Sequence, residues 1–395
     1  MNSSFDFDEI IDRRGTGALK YDISSHPELP EDVLPLWIAD MDFQTAPCVI
    51  EALHRAADHG IFGYTKPEKA YDEVVTGWFR RHHGWCPDPS WMVQTEGVVM
   101  ALALAVRAYS SEGDSVLIQQ PVYYPFSEVI RDNGRKIVSS DLKLVNGHYE
   151  IDFDDFEKKI EENLIHLFIL CSPHNPGGRV WTEEELKRIG DICLQHHVTV
   201  VSDEIHCDLL MPGYTHHPFM TVDPAFEDIS VICTAPSKTF NIAGLQISNI
   251  FIKNRELRRR FRQELFKAGC GLSNIMGLTA CQAAYEEGDG WYEACLKYIQ
   301  SNLAFARDFL KTEIPEVQLI EPEGTYLLWL DFRGLGLSDG ELEDLIVKKA
   351  RLWLDDGKIF GKAGAGFERV NIACPRKVLE KGLIRLRDAV REYER

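Results

Sequence analysis

The stretch TAPSKTFNIAGLQ, residues 234–246, gives the first indication of how this chain of 395 residues folds. It follows an apolar run at 229–233 that is typical of a buried strand. Similar runs, rich in Val, Ile and Leu, occur at 115–119, 165–171, 198–202 and 248–252. Helix-length segments separate several of them. This alternation predicts an α/β fold with a largely parallel sheet, covered by helices on both faces.

One of the intervening segments carries a helix signature of its own. TEEELKRIGDICLQHH begins with Thr182 and has Glu185 three residues later, the spacing of a capping box. Its apolar positions recur at helical spacing and are Leu186, Ile189, Ile192 and Cys193. We expect a helix that begins after Thr182 and buries this stripe against the sheet.

Three polar residues follow three of the predicted strands. Asn175 comes after the run that ends at 171, Asp203 closes the run 198–202, and Lys238 follows the run 229–233. Ligands of open α/β sheets bind beyond the carboxyl ends of the strands. The three side chains are therefore predicted to meet at one edge of the sheet.

An amine, a carboxylate and an amide at one site fit pyridoxal phosphate. This cofactor needs an amine that holds it as an imine, a carboxylate that keeps its ring nitrogen protonated and a donor to its phenolic oxygen. Lysine is the side chain that forms the imine, so Lys238 is the candidate. Asp203 suits the ring nitrogen because an opposite charge stabilises the protonated form.

Length and composition are those of a globular enzyme with two domains. A chain of 395 residues exceeds the size at which one core keeps growing. We expect a large cofactor-binding domain at 48–286 and a small α/β domain built from 1–47 and 287–395. The last part is predicted to contain a strand in TYLLWLDF, 325–332, and a helix in SDGELEDLIVKKARLWL, 338–354.

The net charge and the cysteines limit which partners and which cellular compartment we expect. The net charge of −19 argues against nucleic acid and anionic lipid as partners and leaves small molecules or a second copy of the chain. Ten cysteines are spread singly, without metal spacing, which favours free thiols and no metal site. The acidic N-terminus lacks an apolar signal core, and no run has the ~20 apolar residues of a membrane span. We expect a cytoplasmic protein.

Four motifs resemble those of a known family. SPHNPGG (172–178), VSDEIH (201–206), SKTFNIAGLQ (237–246) and FERVN (367–371) are similar to the signatures of fold-type I pyridoxal phosphate enzymes, the class I/II aminotransferase superfamily. The resemblance spans nearly the whole chain. LPLWIADMDF (34–43) and DEIHCDL (203–209) look more like its cystathionine beta-lyase branch, the bacterial carbon–sulfur lyases.

The resemblance implies a role for each matching residue around the cofactor ring. Lys238 would form the imine, Asp203 would pair with the ring nitrogen, and Asn175 would donate to the phenolic oxygen. Tyr123 would stack on the ring and act with Lys238 among the catalytic residues. His206 stands where aminotransferases usually have a tyrosine near the phenolic oxygen, so it joins the cofactor-binding set.

Further residues are implied for the phosphate and the substrate. Gly97, Val98 and Val99 would begin a helix whose free amides face the phosphate. Many aminotransferases have an arginine where this chain has Gln246, and a hydroxyl is frequent where it has Ala235. The remaining implied contacts are Ser237, Thr234 and, from the other subunit of a homodimer, Tyr64 for the phosphate, with Arg369, Asn175 and Ala39 for the substrate.

Taken singly, several of these residues have simpler explanations. A lone Lys238 would more often be solvated, and Asp203 could be a helix cap or a surface acid. Tyr123 could be core packing and Arg369 a surface salt bridge, while His206 could be a structural histidine. The order of the motifs favours the cofactor site.

The expected function is carbon–sulfur β-elimination. We expect a pyridoxal phosphate-dependent lyase that converts L-cystathionine, L-cysteine or S-substituted cysteines to pyruvate, ammonia and a thiol. Transfer of an amino group to a 2-keto acid is the alternative, because both reactions begin with removal of the α-proton. A regulatory protein that retains the cofactor without turnover is a third hypothesis.

Overall fold

The computed structural model describes residues 5–393. The strands are β1 (Leu34–Pro35), β2 (Met92–Thr95), β3 (Ser115–Ile118), β4 (Lys136–Ser139), β5 (Lys143–Val145), β6 (His148–Glu150), β7 (Leu167–Cys171), β8 (Thr199–Asp203), β9 (Ser230–Thr234), β10 (Ser248–Phe251), β11 (Gln318–Ile320), β12 (Leu327–Asp331), β13 (Leu352–Trp353), β14 (Asp355–Asp356) and β15 (Phe367–Asn371). The α-helices are α1 (Pro47–His59), α2 (Lys69–His83), α3 (Val98–Tyr109), α4 (Pro125–Asp132), α5 (Phe153–Asn163), α6 (Glu183–Gln195), α7 (Arg255–Lys267), α8 (Ile275–Glu287), α9 (Asp289–Glu313), α10 (Asp339–Glu343) and α11 (Arg376–Tyr393).

A seven-stranded sheet forms the centre of the molecule. Its strand order is β2-β10-β9-β8-β7-β3-β4, and β10 runs antiparallel to both of its neighbours. The other strand pairs are parallel, and every residue of β7 and β9 is buried. The predicted mostly parallel sheet is confirmed, while β2 and β4 carry no apolar run long enough to have been recognised in the sequence.

Helix α6 forms as its sequence indicates. The Thr182 side chain accepts from the Glu185 amide, and the Glu185 side chain accepts from the Thr182 amide. The apolar stripe predicted for this helix, from Leu186 to Cys193, is buried. Both the capping box and the buried face are confirmed.

Residues from the two ends of the chain meet in a second, smaller region. Strand β1 pairs in parallel with β13, and a four-stranded sheet has the order β11-β12-β15-β14. Phe7 packs against Phe43 and Trp291, which brings the N-terminal segment onto helix α9. The domain bounds stay a prediction, and their outermost residues, 1–4 and 394–395, lie outside the described residues.

One predicted element ends earlier than expected. The helix proposed for 338–354 consists of α10 followed by a π-helical segment, Asp344–Lys349. Arg351 has a φ of +52°, which ends the helix, and Leu352 then pairs with Leu34. Leu352 and Trp353, which the prediction placed in the helix, form strand β13 instead, and Leu354 follows that strand. In residues 5–393, no helix is long and apolar enough to cross a membrane.

Candidate active site

A cavity of about 230 Å³ lies beyond the carboxyl ends of β7 and β8. Most of the predicted site residues line it. The lining residues are Ala39, Glu96, Gly97, Val98, Val99, Tyr123, Cys171, Asn175, Asp203, Ile205, His206, Ser237, Lys238, Ala243, Gln246 and Ile247. The sheet therefore brings its three strand-end groups together as the parallel order requires.

Lys238 projects its amine towards a backbone carbonyl. Its Nζ donates to the Ala39 oxygen at 2.6 Å, and the same oxygen accepts from the Tyr326 hydroxyl at 3.0 Å. Burial lowers the pKa of Lys238 to about 8, although the carboxylates of Asp40 and Asp203 act in the opposite direction. An amine with this pKa is substantially neutral near pH 8, as a nucleophile or base must be.

Asp203 is the last residue of β8 and is buried. Its Oδ1 accepts from the Ile205 amide at 3.2 Å. Burial raises the pKa of Asp203 to about 7, against the effects of that hydrogen bond and of Lys238. A cationic group bound beside Asp203 would favour its ionised form, because opposite charges stabilise each other where water is excluded.

Asn175 and Arg369 form one hydrogen-bonded unit. The Asn175 side-chain oxygen accepts from Arg369 Nη1 at 2.9 Å, which leaves the amide NH₂ group as the end that can donate. Arg369 Nη2 also donates to Asp355, its cross-strand neighbour on β14. The backbone oxygen of Asn175 accepts from the Tyr123 amide at 2.9 Å, so three predicted site residues are connected.

Two ring side chains complete this side of the cavity. Burial raises the pKa of Tyr123, so its hydroxyl stays protonated. Burial, with the positive charges of Lys238 and Arg369, holds the pKa of His206 well below its usual value. His206 is therefore neutral, and its Nδ1 has no hydrogen-bond partner among residues 5–393.

A helix N-terminus also lines the cavity. Gly97 precedes α3 with a φ of +95°, a conformation that favours glycine. The first intrahelical bond runs from the Ala101 amide to the Gly97 oxygen, so the amides of Val98 and Val99 have no intrahelical partner. Ser237 and Gln246 line the same cavity.

Three predicted site residues lie elsewhere. The Thr234 hydroxyl donates to the Asn249 oxygen at 2.7 Å within the sheet and does not line the cavity, so the structure departs from the phosphate role expected for it. Tyr64 is 97% exposed and borders a separate surface depression. Arg369 is buried behind Asn175 rather than in the cavity lining.

The sequence did not reveal how the segment 36–43 is held against the cavity. The Asn241 side chain bonds to the backbone of Met41 and Phe43, and Asn371 donates to the oxygens of Ile38 and Asp40. Asn241 lies inside the motif around Lys238, but its partners are about 200 positions away in the chain. Tyr326, Asp355 and the lining residues Glu96, Cys171, Ile205, Ala243 and Ile247 were also not anticipated.

The residues present fit pyridoxal phosphate. Lys238, Asp203 and the Asn175 amide supply the amine, carboxylate and donor that its ring requires. The free amides at the start of α3 suit a phosphate. The unpartnered Nδ1 of His206 is a further buried polar group that a bound ligand can satisfy.

Residues 31–386 match the family "Aminotransferase class I and II". The chain therefore belongs to this family, and its fold is that of fold-type I pyridoxal phosphate enzymes. The predicted family and fold class are confirmed.

Individual relatives are carbon–sulfur lyases. The chain is 45% identical to cystathionine beta-lyase PatB of Bacillus subtilis over 384 residues, covering 97% of this chain and 99% of that protein. Cystalysin of Treponema denticola, whose crystal structure contains pyridoxal 5'-phosphate, superposes with a TM-score of 0.95 at 41% identity, covering 98% of this chain and 99% of that chain. The pyridoxal phosphate-bound C-S lyase of Staphylococcus hominis gives 0.91 at 36% identity, with 98% of each chain covered. The predicted lyase branch is confirmed.

Proposed function

We propose that this chain is a pyridoxal phosphate-dependent lyase that cleaves the carbon–sulfur bond of cysteine-type amino acids by β-elimination. The observation that carries the proposal is the cavity in which Lys238, Asp203, Asn175 and Tyr123 meet. Full-length similarity to a cystathionine beta-lyase supports the lyase reaction over amino-group transfer. L-Cystathionine, L-cysteine and S-substituted cysteines are the proposed substrates.

The reaction requires removal of a proton from the substrate α-carbon. When bound, pyridoxal phosphate supplies an electron sink for the negative charge left by that proton. The buried carboxylate of Asp203 in the cavity lining would stabilise a positive charge on the cofactor ring, which would make the sink more effective. The neutral amine of Lys238 accepts the α-proton as a general base.

Departure of the sulfur completes the elimination. The electron pair of the β-carbon–sulfur bond leaves with the sulfur as a thiolate, which takes a proton to become the thiol. Hydrolysis of the remaining three-carbon fragment gives pyruvate and ammonia. Arg369, oriented by Asn175 and Asp355, is proposed to bind the substrate carboxylate through its planar fork of donors.

The deciding experiment omits any keto acid. Purified protein, pyridoxal phosphate and L-cystathionine are incubated together, and pyruvate and free thiol are followed in parallel. Sustained release of both in equal amounts is the expected result. If neither appears, but an added 2-keto acid receives the amino group of an amino acid, the chain is an aminotransferase. Cofactor absorbance without either reaction would favour the regulatory role.

We also propose that the chain acts as a homodimer in which Tyr64 of one subunit reaches the phosphate of the other. An exposed apolar cluster surrounds this residue and consists of Ile61, Phe62, Tyr64, Phe266 and Leu272, each more than half exposed. Large exposed apolar clusters mark interaction sites. Glu96 lines both the adjoining surface depression and the cavity, so a partner seated on this surface would come close to the site.

Subunit mixing tests the role of Tyr64. Lys238→Ala and Tyr64→Phe proteins are prepared separately, dissociated together and reassociated. If Tyr64 acts across the interface, each hybrid dimer contains one site with both native residues, and activity rises above that of either parent. Unchanged activity in hybrids that sedimentation shows to be dimeric would contradict the proposal.

A cytoplasmic location is proposed as well. All ten cysteines are free thiols, and seven of them are buried. Free thiols persist in reducing compartments, which supports this assignment. Cell fractionation with an antibody against the chain tests it directly, and recovery outside the cytoplasmic fraction would contradict it.

A further inference from the structure

Four charged side chains hold the segment 36–43, which borders the cavity. We call Arg13, Lys20, Asp40 and Asp42 the charge cluster. Arg13 donates to both carboxylate oxygens of Asp40, at 2.6 and 3.1 Å, and to Asp42 at 2.9 Å. The two cations come from the N-terminal segment, and the two carboxylates lie one and three positions after Ala39. The cluster therefore links the N-terminal segment to the backbone that accepts from Lys238.

Lys20 is a buried member of the link between the N-terminal segment and the segment 36–43. Its side chain is completely buried, and its Nζ lies 2.8 Å from Asp42 and 3.7 Å from Asp40. Two cations and two carboxylates balance each other, as buried charges must. The cluster is therefore fixed in place, and removal of one member leaves an uncompensated charge near the cavity.

The Lys238 amine lies in the electrostatic field of several groups. Asp40, next to the carbonyl that accepts from Lys238, favours positive charge on the amine, as does Asp203 at the end of β8. Arg369 on β15 disfavours that charge. His206, on the loop after β8, is neutral, and Tyr326 faces the same carbonyl with a hydroxyl that stays protonated. Among these groups, Asp40 is paired with Arg13, a cation that does not line the cavity.

We propose that Asp40 is a positioning residue of the Lys238 site: its carboxylate stabilises positive charge on the Lys238 nitrogen, and Arg13 limits this stabilisation. The inference rests on the proposed function, since it concerns the nitrogen through which Lys238 holds pyridoxal phosphate. It adds Asp40 and Arg13, two residues outside the cavity lining, to those that control the charge of this nitrogen. The N-terminal segment thereby sets the pH range in which the enzyme is competent.

The test uses the holoenzyme and its cofactor absorbance. The absorption band of bound pyridoxal phosphate depends on whether the nitrogen that joins it to Lys238 is protonated, so a pH titration gives a midpoint. Arg13→Met is expected to raise the midpoint by about one pH unit, and Asp40→Asn to lower it by about one unit. The double variant is expected to return close to the wild-type midpoint, because both charges of the pair are gone.

Arg14→Met is the matched control. Arg14 is adjacent in sequence, but its side chain is 72% exposed and pairs with Asp12 within the same turn. Its replacement is expected to leave the midpoint unchanged. A second readout is the rate at which cofactor-free chain takes up pyridoxal phosphate at pH 7, which depends on the neutral fraction of Lys238. Arg13→Met should slow this uptake and Asp40→Asn should speed it.

A purely structural role gives a different pattern. Loosening of the segment would shift both single variants in the same direction, and the double variant would resemble the worse of the two. That pattern, or midpoints and uptake rates equal to wild type, overturns the inference. The absence of a cofactor band in the wild-type protein would instead contradict the proposed function.

Discussion

The two sides of the cavity are built in different ways. Asp203 ends a strand of the central sheet, and Asn175 and Lys238 follow two others, so that buried backbone ladders fix their positions. The segment 36–43 follows the two-residue strand β1 and is held by side chains from distant parts of the chain. Rigid sheet positions suit the groups that must meet a cofactor, while the substrate side depends on a polar network. Each side can therefore be disturbed separately.

The largest effect is expected on the sheet side. Lys238→Ala removes the amine proposed to hold the cofactor and to accept the α-proton, so the rate of pyruvate release should fall by about a thousandfold. The absorption band of the covalently bound cofactor should disappear. Lys267→Ala, at an exposed position on α7, is the control and should retain both. Retention of the band by Lys238→Ala would contradict the assignment.

Arg369 lies where the two sides meet and should show an intermediate effect. Arg369→Lys keeps a cation beside buried Asp355 but loses the planar fork. We expect KM for amino-acid substrates to rise by about tenfold or more, with cofactor affinity unchanged. Arg333→Lys serves as control, because the half-exposed side chain of Arg333 pairs with Asp331 away from the cavity lining. Equal KM values for Arg369→Lys and wild type would remove Arg369 from the substrate site.

The pH dependence of cofactor uptake tests the buried amine directly. The folded chain lowers the pKa of Lys238 to about 8, so its neutral fraction increases as pH rises through 8. From pH 7 to pH 8 that fraction grows by about fivefold, and the uptake rate should follow. Asp203, with a pKa of about 7, ionises over the lower part of this range, and because its charge favours the protonated amine it makes this increase smaller. A flat or falling rate would contradict the burial argument.

A smaller effect is expected where the segment 36–43 is anchored. Asn241→Gly removes three hydrogen bonds to Met41 and Phe43 and tolerates the backbone φ of +55°. The free energy of unfolding should decrease by about 1–3 kcal/mol. KM should rise by a few fold at most, while the cofactor band stays intact. Loss of the band would show that the two sides are not separable.

The smallest effect is expected at Thr234, whose side chain lies within the sheet and does not line the cavity. Thr234→Val removes a hydroxyl that bonds to Asn249 inside the sheet. Stability should fall by about 1 kcal/mol, because one buried carbonyl loses its donor, and cofactor affinity should be unchanged. Ser237→Ala, which does change the cavity lining, is the comparison and should weaken cofactor binding. Weaker cofactor binding by Thr234→Val would restore the role first expected for Thr234.

The sequence alone determined the sheet side of the molecule. Runs rich in Val, Ile and Leu located β3, β7, β8, β9 and β10 to within a few residues. The groups at or after the ends of three of these strands meet because parallel strands end at one edge. The capping box of α6 likewise involves residues that are close together in the sequence. These features depend on neighbours in sequence, so their signals lie in short stretches that can be interpreted without coordinates.

Only the tertiary structure decided the rest. The partners of Asn241, Lys20 and Arg369 lie 14 to 200 positions away in the chain, and no local pattern identifies such pairs. Thr234 has a suitable hydroxyl at a suitable place in the motif, yet the side-chain alternation of β9 and its pairing with β10 direct that hydroxyl into the sheet. Residue types and strand ends are local properties, whereas the direction and partners of a side chain are set by packing.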